Sequence, residues 1–196
     1  MSLLRHKQDW DELGKMDPFW AILSDPSKKY GQWDPEAFFR TGEEEVRKVL
    51  ERADRLGYPR EKRRLLDFGC GVGRLTRAFL TSFQECYGVD ISESMIRKAK
   101  ELNREFPNCH FILNVESHLG LFPDAYFDMI YTNIVLQHLS DNSTVKAYLA
   151  EFARVLRKGG LIAFQLPTNI PLKNRLQPQR RLYGLLRGFG FRETFL

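Results

Sequence analysis

From residue 41 onward the apolar positions alternate between two spacings. Val46, Val49, Leu50 and Ala53 recur at three- and four-residue intervals, which predicts a helix over Gly42 to Leu56. Thr41 with Glu44 three positions on has the capping-box pattern for its start, and Gly57 and Pro59 end it. Leu65 and Leu66 then close a short run of the kind that ends a buried parallel strand. Helical spacing returns from Arg74 to about Phe83, with Leu75, Ala78, Phe79 and Ser82 inward. Glu85 to Val89 reads as a second strand, and Ser92 caps a helix carrying Met95, Ile96 and Ala99. Cys109 to Leu113 and Phe127 to Asn133 supply two more strands. Asn142 to about Leu156 is an amphipathic helix with Val145, Tyr148, Leu149, Phe152 and Val155 on one face. Arg157 and Lys158 before Gly159 and Gly160 resemble a helix exit, and a fifth strand over Leu161 to Leu166 stops at Pro167. Strands alternating with covering helices predict an α/β fold, an open, doubly wound, mostly parallel sheet rather than an eight-unit barrel.

Residues 1–60 read as a helical cap or lid and residues 61–196 as the core. Asp9 to Trp20 has the pattern of a short helix, and Asp25 to Tyr30 holds turn-forming residues. Tyr30, Trp33 and Phe39 fit either a lid over a ligand or ordinary packing.

Chemistry concentrates where the first strand ends. In LLDFGCGVGRLT, Asp67 is followed at once by Gly69, Gly71 and Gly73. Such a strand-to-helix turn lets backbone approach a ligand at the carboxyl end of a strand, although a tight structural turn has the same composition. About 20 residues later Asp90 stands at the tip of the second strand, where a carboxylate can accept from the hydroxyls of a ribose. A solvent-facing helix cap is the other reading of Asp90, but Ser92 is the better cap.

Composition narrows the picture modestly. A chain of 196 residues can bury about 70% of its unfolded surface and sustain one core. The net charge of +5 comes with basic clusters at residues 60–64 and 175–187, and an acidic run over Glu43 to Glu45 interrupts it. With no base-stacking array or nucleic-acid module, the basic residues read as a solvated face. Cys70, Cys86 and Cys109 lack the paired spacing of a zinc site and read as reduced thiols of a cytoplasmic protein. There is no leader-like segment after Met1 and no apolar run long enough to span a membrane.

Together, FGCGVGR with Asp67 before it, the acid at Asp90, FDMIYTNIVLQHL and LRKGGLIAFQLP resemble, in order, the motifs of class I S-adenosylmethionine-dependent methyltransferases over Leu65 to Pro167. The resemblance implies a Rossmann-like methyltransferase sheet with S-adenosyl-L-methionine as cofactor. It places Asp67, Gly69, Cys70, Gly71, Gly73 and Arg74 along the methionyl and ribose edge, Asp90 and Ile91 at the ribose, and Met95, Val115 and Glu116 around adenine. It brings Asn133, Ile134 and Gln137 to the methionyl side, and His138 to the position of a general base, with a structural hydrogen bond as its other reading. The sequence shows no compact carboxylate-histidine constellation, so no metal is expected.

The implied reaction is methyl transfer to an oxygen or nitrogen of an unidentified acceptor. A small molecule is the expected partner, with RNA or protein substrates left open. The alternative is a noncatalytic cofactor-binding or interaction module of the same fold; a nicotinamide-binding protein is disfavoured by Asp67 and LRKGG. Relatives carry two further strands after the fifth, whereas only a helix over Lys173 to Leu186 and a strand over Phe189 to Phe195 fit here, so a shortened sheet is expected.

Overall fold

Five strands, Arg64–Phe68 (β1), Glu85–Asp90 (β2), Cys109–Leu113 (β3), Phe127–Thr132 (β4) and Leu156–Phe164 (β5), form one sheet in the order β3-β2-β1-β4-β5, every adjacent pair parallel. They belong to a computed structural model that describes residues 3–139 and 142–165. The expected strands and helices after Lys173 lie outside the described residues. Six helices accompany the sheet among the described residues: Leu3–Met16 (α1), Pro18–Ile22 (α2), Pro35–Leu56 (α3), Arg74–Phe79 (α4), Glu93–Leu102 (α5) and Asn142–Val155 (α6).

Strand pleating sorts neighbouring residues onto opposite faces. Leu65, Cys86 and Met129 pack with Val46 and Leu50 of α3 and Leu75 and Phe79 of α4. Leu66, Val89 and Ile130 pack on the other face with Tyr148, Phe152 and Val155 of α6. Leu65 and Leu66 are fully buried, and removing each from water contributes about 1.5–3 kcal/mol. The sheet is therefore wound on both faces, as the sequence pattern predicts. The chain runs outward from β1 through β2 to β3, then returns to place β4 on the other side of β1. The order reverses between β1 and β4, which opens a crevice at their carboxyl ends.

Three expectations are corrected. The helix expected over Asp9 to Trp20 breaks at Pro18, which lacks an N–H and forces Asp17 out of helical geometry; Asp17 then caps α2 by accepting from the Trp20 N–H at 3.2 Å. Thr41 and Glu44 do not start a helix: α3 begins at Pro35, where the Asp34 carboxylate accepts from the Ala37 N–H at 2.8 Å, and the Thr41 hydroxyl donates to the Phe38 carbonyl within the helix. Gly159 and Gly160 lie inside β5, not after a helix. Between the pairs Phe127 with Leu156 and Met129 with Leu161, Asp128 faces the four residues from Arg157 to Gly160, a bulge that Gly159 enters with φ 81°. Asp128 anchors this end of the sheet: its carboxylate accepts from the Arg63 and Arg64 N–H groups and from Arg157.

Candidate functional site

The turn after β1 is tied to β2 by its backbone. Gly69 and Cys70 both donate their N–H to the Val89 carbonyl, at 2.8 and 3.0 Å. Gly69 has φ 79°, and a Cβ there would stand 2.3 Å from a Val135 methyl, so both the backbone and the space beside it require glycine. The Ile22 side chain lies directly on Gly71, and Gly73 leads into α4.

Asp90 joins the turn to the next helix. One carboxylate oxygen accepts from the Gly71 N–H at 2.9 Å and the other from the Ser92 N–H at 2.9 Å. Burial pushes its pKa up, against the downward pull of those N–H groups and of Ile91. Each oxygen keeps acceptor capacity, so the group can still take hydroxyl donors. Ser92 caps α5 through the Met95 N–H, as the sequence predicts. Beside Asp90, the Asn114 N–H donates to its carbonyl at 2.9 Å, and the exposed Val115 and Glu116 follow. The Tyr148 hydroxyl donates to the Glu116 carbonyl at 2.6 Å and holds that loop from α6.

Asp67 lies beneath the turn, 2% exposed, accepting from the Thr76 hydroxyl of α4 at 2.6 Å. Burial raises its pKa to about 7 despite Thr76 and the neighbouring Arg74. Its carboxylate supports the turn from behind. The Cys70 thiol is buried in the same layer and pushed well above its ordinary pKa by burial and by the charges of Asp90 and Asp67, which keeps it protonated and unreactive. Met95, in the first turn of α5, is buried with Phe38, Phe39 and Val72, close to Gly14 of α1.

The far side of the crevice is the end of β4. Ile134 is 45% exposed with φ 63°, a left-handed conformation costly for a β-branched residue. Gln137 and His138 are exposed on the short helical turn Leu136–His138. Asn133 donates its side-chain N–H to Glu45 at 2.7 Å, and Arg74, buried under α3, donates to the same carboxylate at 2.7 Å. Among the described residues no group of three His, Cys, Asp or Glu could hold a metal ion.

The N-terminal helices lie directly on this region. The Asp11 carboxylate of α1 accepts from the Ser92 hydroxyl at 2.7 Å and the Ser94 N–H at 3.0 Å, at the amino end of α5. Trp10 meets His138 edge-on. Of the aromatics considered as lid residues, Phe39 is buried in the core against the Arg77 guanidinium, Trp33 donates its indole N–H to the Leu23 carbonyl, and Tyr30 is exposed. Trp10, Asp11, Ile22 and Glu45 are not singled out by sequence reasoning. Only Glu45 left a signal there: it stands three residues after Gly42 and four before Val49, on the border of the buried face of α3.

The sequence and the fold have known relatives. The methyltransferase domain family matches residues 66–164, from the middle of β1 to the end of β5. Trans-aconitate 2-methyltransferase of Acidovorax sp. (strain JS42) is 30% identical over 141 residues, covering 70% of this chain and 51% of that one. Malonyl-[acyl-carrier protein] O-methyltransferase of Serratia marcescens is 31% identical over 144 residues, covering 74% of this chain and 51% of that one. The chain thus spans about half the length of the curated relatives it matches. A phosphoethanolamine N-methyltransferase of Haemonchus contortus, solved with phosphoethanolamine and S-adenosylhomocysteine, superposes with a TM-score of 0.67 at 20% identity, over 86% of this chain and 33% of that one, and has the same fold. With its domain matched over just over half of the sequence, including the glycine turn, Asp90 and the end of β4, the chain belongs to the methyltransferase domain family.

Proposed function

We propose that this chain binds S-adenosyl-L-methionine in the crevice between the carboxyl ends of β1 and β4 and transfers its methyl group to an oxygen or nitrogen of a small-molecule acceptor. The observation that carries the reading is the Asp90 carboxylate, anchored by the Gly71 and Ser92 N–H groups with acceptor capacity left over, at the switch point of the sheet. An anchored carboxylate of this kind is the acceptor that the two hydroxyls of a ribose require. The glycine turn offers backbone to the methionyl part, Ile91 borders the ribose, Val115 and Glu116 border the adenine side, and Asn133, Ile134 and Gln137 border the methyl. Asp67, Cys70 and Met95 act from beneath, through the shape of the turn and the seating of α5.

Bound S-adenosylmethionine supplies an electrophilic methyl on a sulfonium, so the protein has little bond chemistry of its own to perform. Its residues align donor and acceptor and keep water out. Residues 1–60 act as the cap over a core of residues 61–196, a division supported by Trp10 against His138, Asp11 on α5 and Ile22 on Gly71. His138 is the general base when the acceptor carries a proton on its nucleophile; a carboxylate acceptor arrives without one and uses His138 only as a hydrogen-bonding partner.

The names of the curated relatives, one for trans-aconitate and one for a malonyl group on acyl-carrier protein, favour an acceptor with carboxyl chemistry. The three unpaired thiols suit the reducing conditions of the cytoplasm, and among the described residues no helix is long and apolar enough to cross a membrane. The test is incubation with methyl-labelled S-adenosylmethionine and a panel of di- and tricarboxylic acids, hydroxy acids and amines. Labelled product from one class supports transfer; tight binding with no labelled product from any class supports the noncatalytic module instead.

A further inference from the structure

One carboxylate joins three elements around the crevice. Glu45 of α3 accepts from the Arg74 guanidinium at the start of α4 at 2.7 Å, from the Tyr131 hydroxyl of β4 at 2.9 Å and from the Asn133 side-chain N–H just beyond β4 at 2.7 Å. The Arg74 side chain is 7% exposed and that of Glu45 26%. Thr41, one turn before Glu45, accepts from the other end of the same guanidinium at 3.2 Å. Burial, together with the Glu45 charge, pushes the Tyr131 phenol above its ordinary pKa, so it stays protonated and can only donate to Glu45.

A carboxylate accepts and does not donate, which decides the orientation of the Asn133 amide: the NH2 end faces Glu45, and the carbonyl end is left to accept from whatever binds against it. A bound methionyl group carries an ammonium, a donor of the matching kind. A hydrogen bond from a guanidinium to a carboxylate, such as that from Arg74 to Glu45, is charge-assisted and stronger than a neutral one. Arg74, Tyr131 and Asn133 reach Glu45 from separate places in the chain, so α3 couples the glycine-turn helix to the tip of β4 through a single group.

We propose that Glu45 is a positioning residue for the cofactor, acting through Asn133: it fixes the amide carbonyl of Asn133 as an acceptor at the edge of the crevice. The proposal rests on the cofactor reading above and adds to it a residue from the N-terminal segment.

The experiment is a double-mutant cycle on S-adenosylhomocysteine affinity, measured by calorimetry on the whole chain with the circular dichroism of each variant as a check on folding. Glu45→Gln leaves one oxygen for donors that had two; the buried Arg74 charge claims it, the NH2 falls opposite the NH2 of Asn133, and the Asn133 amide turns over so that its donor end faces the ligand. This variant is expected to bind about tenfold more weakly. In an Asn133→Ala background, the same change is expected to have little further effect, because the group it acts through is gone. Equal weakening in both backgrounds, or none in either, overturns the proposal. Should Glu45→Gln fail to fold, Glu45→Asp enters the same cycle with the same expectation, since it keeps a charge near Arg74 while withdrawing the carboxylate from Asn133. A folded wild-type chain that binds no S-adenosylhomocysteine is a different result: it overturns the cofactor reading, and this proposal with it.

Discussion

The edge of the Trp10 indole meets the His138 imidazole with ring centroids 5.6 Å apart and the planes at 78°. A residue of the N-terminal helix thus rests on the short turn after β4, where the sequence motifs place the reacting groups. Trp10→Ala removes this cover. The expected result is a loss of about 1 kcal/mol of stability and a faster release of S-adenosylhomocysteine in stopped-flow fluorescence. Unchanged release would mean that α1 does not close the site.

Asp11 gives the same helix a pH-dependent hold. Burial raises its pKa, but the Ser94 N–H, the Ser92 and Ser94 hydroxyls and nearby Lys7 outweigh that, and the net shift is downward. A depressed carboxylate contributes stability above its unfolded pKa and loses it as pH falls through the folded value. Asp11→Ala is expected to cost about 1 kcal/mol at neutral pH, as loss of a helix cap does, with the melting temperatures of variant and wild type converging below about pH 4.

Asp67 has the opposite sign. Burial raises its pKa to about 7, so the folded state holds a proton that the unfolded chain releases near pH 4. Stability from this group therefore falls as pH rises through that window. Asp67→Asn keeps an acceptor for the Thr76 hydroxyl and carries no charge. Thermal melts should show the variant gaining on wild type between about pH 4 and 7, with a constant advantage above. A difference independent of pH would place the carboxylate in a different protonation state.

Gly69→Ala meets two obstacles, a left-handed backbone and the Val135 methyl. The backbone alone costs about 1–2 kcal/mol, and the clash adds to it. Pairing Gly69→Ala with Val135→Ala should restore part of the lost stability in chemical denaturation, leaving the backbone share. No recovery would mean that the strain lies wholly in the turn.

Features set by near neighbours in sequence were legible. Ser92 three residues before Met95, glycines directly after a buried run, and an acid at the tip of the next strand are local patterns, and an open parallel sheet follows from the alternation of strands and helices. Patterns that depend on a distant partner were not. Asp34 before Pro35 starts the helix, and Thr41 with Glu44 offers a second start that the fold leaves unused because the helix already covers it. Gly159 and Gly160 look like a helix stop until β4 lies beside them and Asp128 opposes the bulge. Glu45 read only as one of three acids that interrupt the positive charge; Arg74, Tyr131 and Asn133, which make it a hub, are 29, 86 and 88 residues away along the chain.

The central claim is that Asp90 holds a ribose diol beside the glycine turn. The direct measurement is calorimetric titration of wild type and Asp90→Ala with S-adenosylhomocysteine, with a nicotinamide dinucleotide as control. Wild type is expected to bind the adenosyl ligand selectively and the folded variant at least tenfold more weakly, the loss of hydrogen bonds to a carboxyl acceptor. Equal affinity in the two proteins, or no binding by folded wild type, would contradict it.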